Sequence, residues 1–384
     1  MQTDILFANR RLIAKAVTGA DRALCVVTFD SFTDRPTLDR PGFGEHYFTT
    51  RQVDAIHILS LGNHWYQYPE LPDLLAAVRQ ATAAYARVIA YGSSMGGFAA
   101  LTYGRACGAQ AGLALSPQYS LDPRVVPFER RWPGEARRVA FLAHSAAEPL
   151  PWQVIAYDPL DVPDRHHAAL FAARSPTAPV RVPHGGHPVG GYLAETSQLG
   201  DLVQGVVAGV LDVPAFEREV RARRRRSGQY HFTLSRRLAD RHLETKIKLA
   251  RIATELSAHD AAYHSHLACL LDRADRREEA RAAHDIAVTR ESASHHTIYN
   301  LVLHHEQTGA LSDARALLEP FAALRTMPAY LRQAASRLRC AARAGTPVGR
   351  LARDYGLEGT IERIACLRDA LVRRVRAWRI DAQG

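Results

Sequence analysis

Short apolar runs bounded by turn residues alternate with longer stretches of helical periodicity over the first half of the chain. Residues 24–29, 55–60, 86–91, 111–116, 152–157 and 179–183 each read as a strand. Residues 71–85, 97–103, about 165–173 and 199–211 read as the helices between and after them. Such alternation predicts an α/β domain built on a doubly wound, mostly parallel sheet. Beyond residue 235 the strand signals vanish, and Ala, Leu and Arg recur at helical period. An all-α region is expected there.

The helical region carries an internal offset of 34 residues, seen in the pairs Leu267/Leu301, Asp275/Gly309 and Ala280/Ala314. A period of 34 with a small residue between paired helices is the tetratricopeptide pattern, here degenerate and limited to two repeats. Two repeats bury little on their own, so flanking helices at about 236–257 and 329–380 are expected to cap them. The expected organisation is an α/β domain over 1–213, a basic linker over 214–235 and a helical-repeat domain over 236–384.

Charge sharpens that boundary. Residues 1–216 carry 18 Lys and Arg against 19 Asp and Glu, so the whole +10 excess lies downstream. Five of the six residues 221–226 are arginine. Like charges at this density predict a solvated segment or a helix start. The excess continues as scattered arginines with little aromatic interleaving, which argues against a nucleic-acid interface.

With 47% hydrophobic and 23% charged residues the chain has the composition of a globular protein. No apolar run reaches the length of a membrane span, and residues 1–11 lack the apolar core of a signal peptide. The five cysteines (Cys25, Cys107, Cys269, Cys340, Cys366) are far apart and show no metal-ligand spacing. The expected compartment is the cytoplasm, with no cofactor and no metal.

Candidate chemistry centres on Gly92-Ser93-Ser94-Met95-Gly96, a G-x-S-x-G run between a strand and a helix. That context predicts a nucleophile elbow, in which a serine at a strained turn needs glycines two residues either side. Only Ser94 satisfies that register. The alternative is a glycine-rich turn closing an ordinary βα unit. A serine nucleophile needs a base and an acid that orients it, in chain order Ser, acid, His. Two histidines follow the last strand; His187, after Gly185-Gly186, is the better base, and His184 could orient the loop. The acid is sought after the strand at 152–157, among Asp158, Asp161 and Asp164. Asp164 is favoured and Asp161 is next, although capping the following helix is a competing role for Asp164. The oxyanion donors are expected to be the N–H of Met95 and that of Ser31 or Phe32. Asn63 and Trp65, in the loop 61–67, are candidates to wall a substrate pocket. Six histidines of the helical region (His264, His266, His295, His296, His304, His305), without acidic partners at metal-ligand spacing, are expected to pack or face solvent rather than ligate.

The elbow Tyr91-Gly-Ser-Ser-Met-Gly-Gly97, with Ser116-Pro-Gln, Tyr157-Asp-Pro and Gly186-His187, resembles the α/β-hydrolase superfamily over about residues 20–212. More narrowly it is similar to bacterial hydrolase-like proteins joined to tetratricopeptide regions and associated with surface-polysaccharide genes. The acid loop departs from the superfamily pattern, lacking a glycine three residues before the aspartate. The resemblance implies cleavage or transfer of an acyl group through an acyl-serine, with a small-molecule or glycan acyl ester as substrate. A fragment ending near Leu211 is then expected to keep the chemistry, with a protein partner for the helical region. The competing reading is a non-catalytic scaffold acting through its repeats.

Overall fold

The structure is a computed structural model and describes residues 1–19, 21–33, 36–141, 147–321 and 328–344. The chain divides into two compact units, Met1–Leu256 and a second beginning at Ser257. The first holds eight strands: β1 (Gln2–Ala8), β2 (Leu12–Thr18), β3 (Leu24–Phe29), β4 (Asp54–Ser60), β5 (Arg87–Ser93), β6 (Ala111–Leu115), β7 (Trp152–Tyr157) and β8 (Thr177–Arg181). They form one sheet in the order β1-β2-β4-β3-β5-β6-β7-β8, in which β2 pairs antiparallel with both β1 and β4 and the remaining pairs are parallel. The helices are α1 (Glu45–Thr50), α2 (Leu71–Thr82), α3 (Met95–Tyr103), α4 (Pro133–Arg138), α5 (Val162–Ala172), α6 (Gly190–Glu195), α7 (Leu199–Ala208), α8 (Val213–Arg223), α9 (Gly228–Arg237) and α10 (Leu243–Leu256).

The period-2 geometry of a strand sends alternate side chains to two cores. From β5, Val88 and Ala90 join the core under α2, α3 and α5, while Ile89 and Tyr91 join the core under α1, α6 and α7. Both faces are therefore covered, and the strands read as continuous apolar runs. This is the mostly parallel, doubly wound α/β architecture that the sequence predicts.

Two expectations change. The β1–β2 hairpin was not foreseen, because β1 is an edge strand with no buried residue and so carries no inside–outside alternation. The basic segment 214–235 is no linker. Phe216 and Val220 of α8 are buried in the core that contains Val180 of β8. The Tyr192 hydroxyl donates to Val220 O at 2.6 Å, and Arg181 N to Glu217 Oε1 at 2.9 Å. The arginines sit at the outer end of α8 and in the short turn after it, where Arg221 pairs with Glu217 and Arg223 with Glu219. An amphipathic helix with an arginine-rich polar face looks like a linker when only its charge is read. A fragment ending near Leu211 would lack this helix and the contacts it makes with β8.

The second unit contains α11 (Ala261–Arg273), α12 (Arg277–Thr289), α13 (His295–Thr308), α14 (Leu311–Leu318) and α15 (Ala329–Ala344). The 34-residue offset has a structural counterpart here. Asp275 and Gly309, at the turns after α11 and α13, both have positive φ (53° and 79°). Ala280 and Ala314 are both fully buried on the helices that follow. The expected flanking helix at 236–257 corresponds to α9 and α10, which belong to the first unit. Residues 345–380 of the second expected cap lie outside the described residues. Among the described residues no helix is long and apolar enough to cross a membrane, and Cys25, Cys107 and Cys269 are free thiols.

Candidate active site

Ser94 stands between β5 and α3 with φ 52° and ψ −116°, a strained pair for a residue with a Cβ. The flanking glycines are required by contact. A Cβ on Gly92 would lie 2.2 Å from Gly96 O, and one on Gly96 would lie 2.2 Å from Phe29 O at the end of β3. Phe98 N is the first amide to bond back, to Ser94 O, so the amides of Met95, Gly96 and Gly97 have no carbonyl within the helix. They point the positive end of α3 towards the serine. Ser31 lies just past β3, its Oγ donating to Ser93 O at 3.0 Å, which draws the 30–32 segment alongside the elbow.

The loop after β8 brings His187 to this point. Ser94 Oγ and His187 Nε2 are 3.0 Å apart, and His187 Nδ1 lies 2.9 Å from each oxygen of Asp164. A carboxylate at Nδ1 holds the proton there and leaves Nε2 free to accept. Asp164 is buried in the first turn of α5. The cap of that helix is Asp161, whose Oδ1 accepts from Asp164 N at 3.1 Å. The capping role considered for Asp164 therefore belongs to Asp161. Asp158 is turned to the loop that carries His187 instead, its carboxylate accepting from the amides of His184 (3.2 Å) and Gly186 (2.9 Å). His184 packs on Tyr230 and contacts Arg237, away from the serine.

Three residues at the site were not singled out from the sequence. Gln118, fully buried, has its Oε1 3.2 Å from Ser94 Oγ and its Nε2 3.5 Å from His187 Nε2. Only its place in Ser116-Pro-Gln hinted at it. Arg131 donates to Asp164 Oδ1 at 2.8 Å and to Glu129 Oε2 at 2.6 Å, and Glu129 also meets His167 Nε2 at 3.0 Å. No spacing rule links these positions. Burial pushes the Asp164 carboxyl up, but His187 and Arg131 outweigh it and hold it below the ordinary carboxylate range. The same balance, with burial opposed by His167 and Arg131, brings Glu129 down to about 2. Arg131→Met would leave two buried carboxylates short of a partner. It should cost about 3 kcal/mol of stability in a urea melt. It should also raise the Asp164 carboxyl, so that activity on the acid side is lost at a higher pH than in the wild type.

Asn63 does not stand alone as a wall. It clasps the early loop, accepting from Thr33 N at 3.1 Å and donating to Thr33 O at 2.8 Å. Trp65 is fully buried in an aromatic group, 6.3 Å from Phe32 and 5.9 Å from Trp132 between ring centroids. Trp132 in turn lies 6.3 Å from the His187 ring. The indole N–H groups of Trp65 and Trp132 are buried and have no hydrogen-bond partner among the described residues.

The helical unit holds a side-chain cluster that the sequence reading denied. Asp272 accepts from His284 Nε2 at 3.0 Å and from His304 Nδ1 at 2.7 Å, tying α11, α12 and α13 together. The acidic partner went unseen because the three residues come from three helices. Their ligand atoms lie within 4.8 Å of one another, close enough to hold a metal ion, although each contact is already accounted for as a hydrogen bond.

The chain matches no protein-family model, and no curated protein matches it. Among solved structures it is similar to the capsule O-acetyltransferase of Neisseria meningitidis serogroup A, at 12% identity and a TM-score of 0.38 over 53% of this chain and 93% of that one. It is similar to an esterase of Pyrobaculum calidifontis at 14% identity and a TM-score of 0.39, over 54% and 83% of the two chains. Est1E from Butyrivibrio proteoclasticus gives 11%, 0.37, 53% and 98%. Likenesses this distant carry no argument about chemistry, which rests on the geometry above.

Proposed function

We propose that this protein is a serine hydrolase or acyltransferase of the α/β-hydrolase type, acting on a carboxylic ester through an acyl-Ser94 intermediate. The observation that carries the reading is the unbroken hydrogen-bonded chain Ser94–His187–Asp164, with the serine at a strained strand-to-helix turn. Ser94 Oγ attacks the ester carbonyl while His187 Nε2 takes its proton, and Asp164 stabilises the imidazolium. The oxyanion is received by the N–H of Met95 and that of Ser31 or Phe32. On collapse the leaving alkoxide takes the proton from His187. Water or an acceptor hydroxyl, deprotonated by the same imidazole, then releases the acyl group.

A fluorophosphonate probe tests the reading. The wild type and His184→Ala should be labelled, and His187→Ala should lose about 10²-fold or more in labelling rate, because a base that is removed no longer activates the serine. A wild type that is folded and inert to the probe would favour the scaffold reading, in which the repeats alone act. Equal loss in both histidine variants would show that the base was misassigned. The 34-residue helix pairs are, on this reading, a tetratricopeptide-like appendage, and the cytoplasm is the proposed compartment.

A further inference from the structure

We propose that helix α9, far downstream of the three catalytic positions, is a brace for the loop that carries His187, with Gln229 and Arg237 as its positioning residues. The proposal rests on the acyl-serine reading, since it gives His187 a geometry worth holding.

Gln229, Thr233 and Arg237 are spaced four residues apart, so α9 presents all three on one face. Each meets the loop. The Gln229 side-chain amide donates to Gly185 O and, at 2.8 Å, to Pro188 O. These carbonyls stand on either side of His187, so both N–H groups of one amide span the base. Between them Gly186 has φ 68°, and a Cβ there would lie 2.7 Å from Thr233 Oγ1. The helix therefore rests directly on the loop backbone. At the far end Arg237 Nη2 lies 2.8 Å from Asp158 Oδ2, the same oxygen that accepts from Gly186 N. Asp158 is fully buried, and Arg237 supplies its positive partner.

The brace is itself anchored. Ser227 caps α9, accepting from Tyr230 N at 3.0 Å. Glu195 Oε2 accepts from Ser227 Oγ at 2.6 Å and from Gln229 N at 2.8 Å, fixing the start of α9 to the end of α6. A loop containing two glycines has little conformational preference of its own. Pinning its carbonyls and amides from outside restricts the imidazole to the position between Ser94 and Asp164. Packing alone would not need donors matched to the carbonyls flanking one histidine.

Gln229→Met keeps the length of the side chain and removes both donors. Gln229→Asn, one methylene shorter, withdraws them while staying polar, and serves if the first variant does not fold. Hydrogen exchange at the amides of residues 184–187 and 189 should quicken in either variant, with exchange elsewhere in the sheet unchanged. The kcat for a p-nitrophenyl ester should fall by about 10- to 100-fold, because a displacement on the order of 1 Å at a reacting group has that effect. KM should stay within about twofold, as the substrate contacts are untouched. Wild-type exchange in this loop would overturn the brace whatever the chemistry. Faster exchange with an unchanged kcat would overturn the positioning role. Absence of fluorophosphonate labelling in the wild type would instead remove the acyl-serine reading, and the exchange result would still judge the brace.

Discussion

Ser94→Ala should lower turnover of a short p-nitrophenyl ester by roughly 10⁴-fold or more, with little change in melting temperature. The size of the loss follows from what the hydroxyl does. It is the only group on the elbow placed to donate to the base, and without it His187 has no nucleophile to activate. Residual turnover would come from the oxyanion amides and from binding, which remain in place. The fold should tolerate the change because alanine experiences the same strain as serine at φ 52°. The hydroxyl's contacts with Gln118 and His187 are all that the variant gives up. Retention of most of the activity would mean that the elbow is only a turn.

Asp164→Asn should be nearly as severe, lowering turnover by up to about 10⁴-fold. An amide can still accept from His187 Nδ1, but it no longer stabilises the imidazolium and does not dictate the tautomer. The three acidic positions after β7 separate cleanly under the same substitution, because each carboxylate has different partners. Asp161→Asn should change stability by no more than about 1 kcal/mol and leave turnover nearly intact, since asparagine caps a helix as aspartate does. Asp158→Asn removes a buried charge from Arg237 and weakens its hold on the His184 and Gly186 amides. Its main effect should be a loss of stability of about 3 kcal/mol. Kinetics and urea melts on the three variants give the comparison. Loss of turnover confined to Asp161→Asn would reverse the assignment of acid and cap.

What the sequence made legible follows the strength of local constraint. The strands from β3 to β7 are buried on both faces and show as apolar runs, and Ser94 is marked by glycines that steric contact demands. His187, the proposed base, could be singled out by its order in the chain and its glycines. For the proposed acid the sequence offers three residues and no decisive way to choose among them. The choice among them depends on side-chain direction at the start of α5, which only the folded helix fixes. Arg131, Glu129 and Gln118 reach the site by tertiary placement alone and leave no periodic trace. The basic run after Pro214 misled in a specific way: its charge lies on the outside of α8, while Phe216 and Val220, the residues that bind it to the sheet, are only two apolar positions in a polar stretch. In the helical unit the 34-residue offset was readable, because the turns at Asp275 and Gly309 impose the same backbone conformation. The Asp272 cluster was not, since its members share no helix.

The most direct measurement is to mix the protein with p-nitrophenyl acetate, quench with acid within the first turnovers and map the modified peptide by mass spectrometry. The account predicts the mass of one acetyl group on Ser94, absent from Ser94→Ala and formed far more slowly in His187→Ala. Ester turnover with the acetyl group on another residue, or with Ser94 never modified, would contradict it.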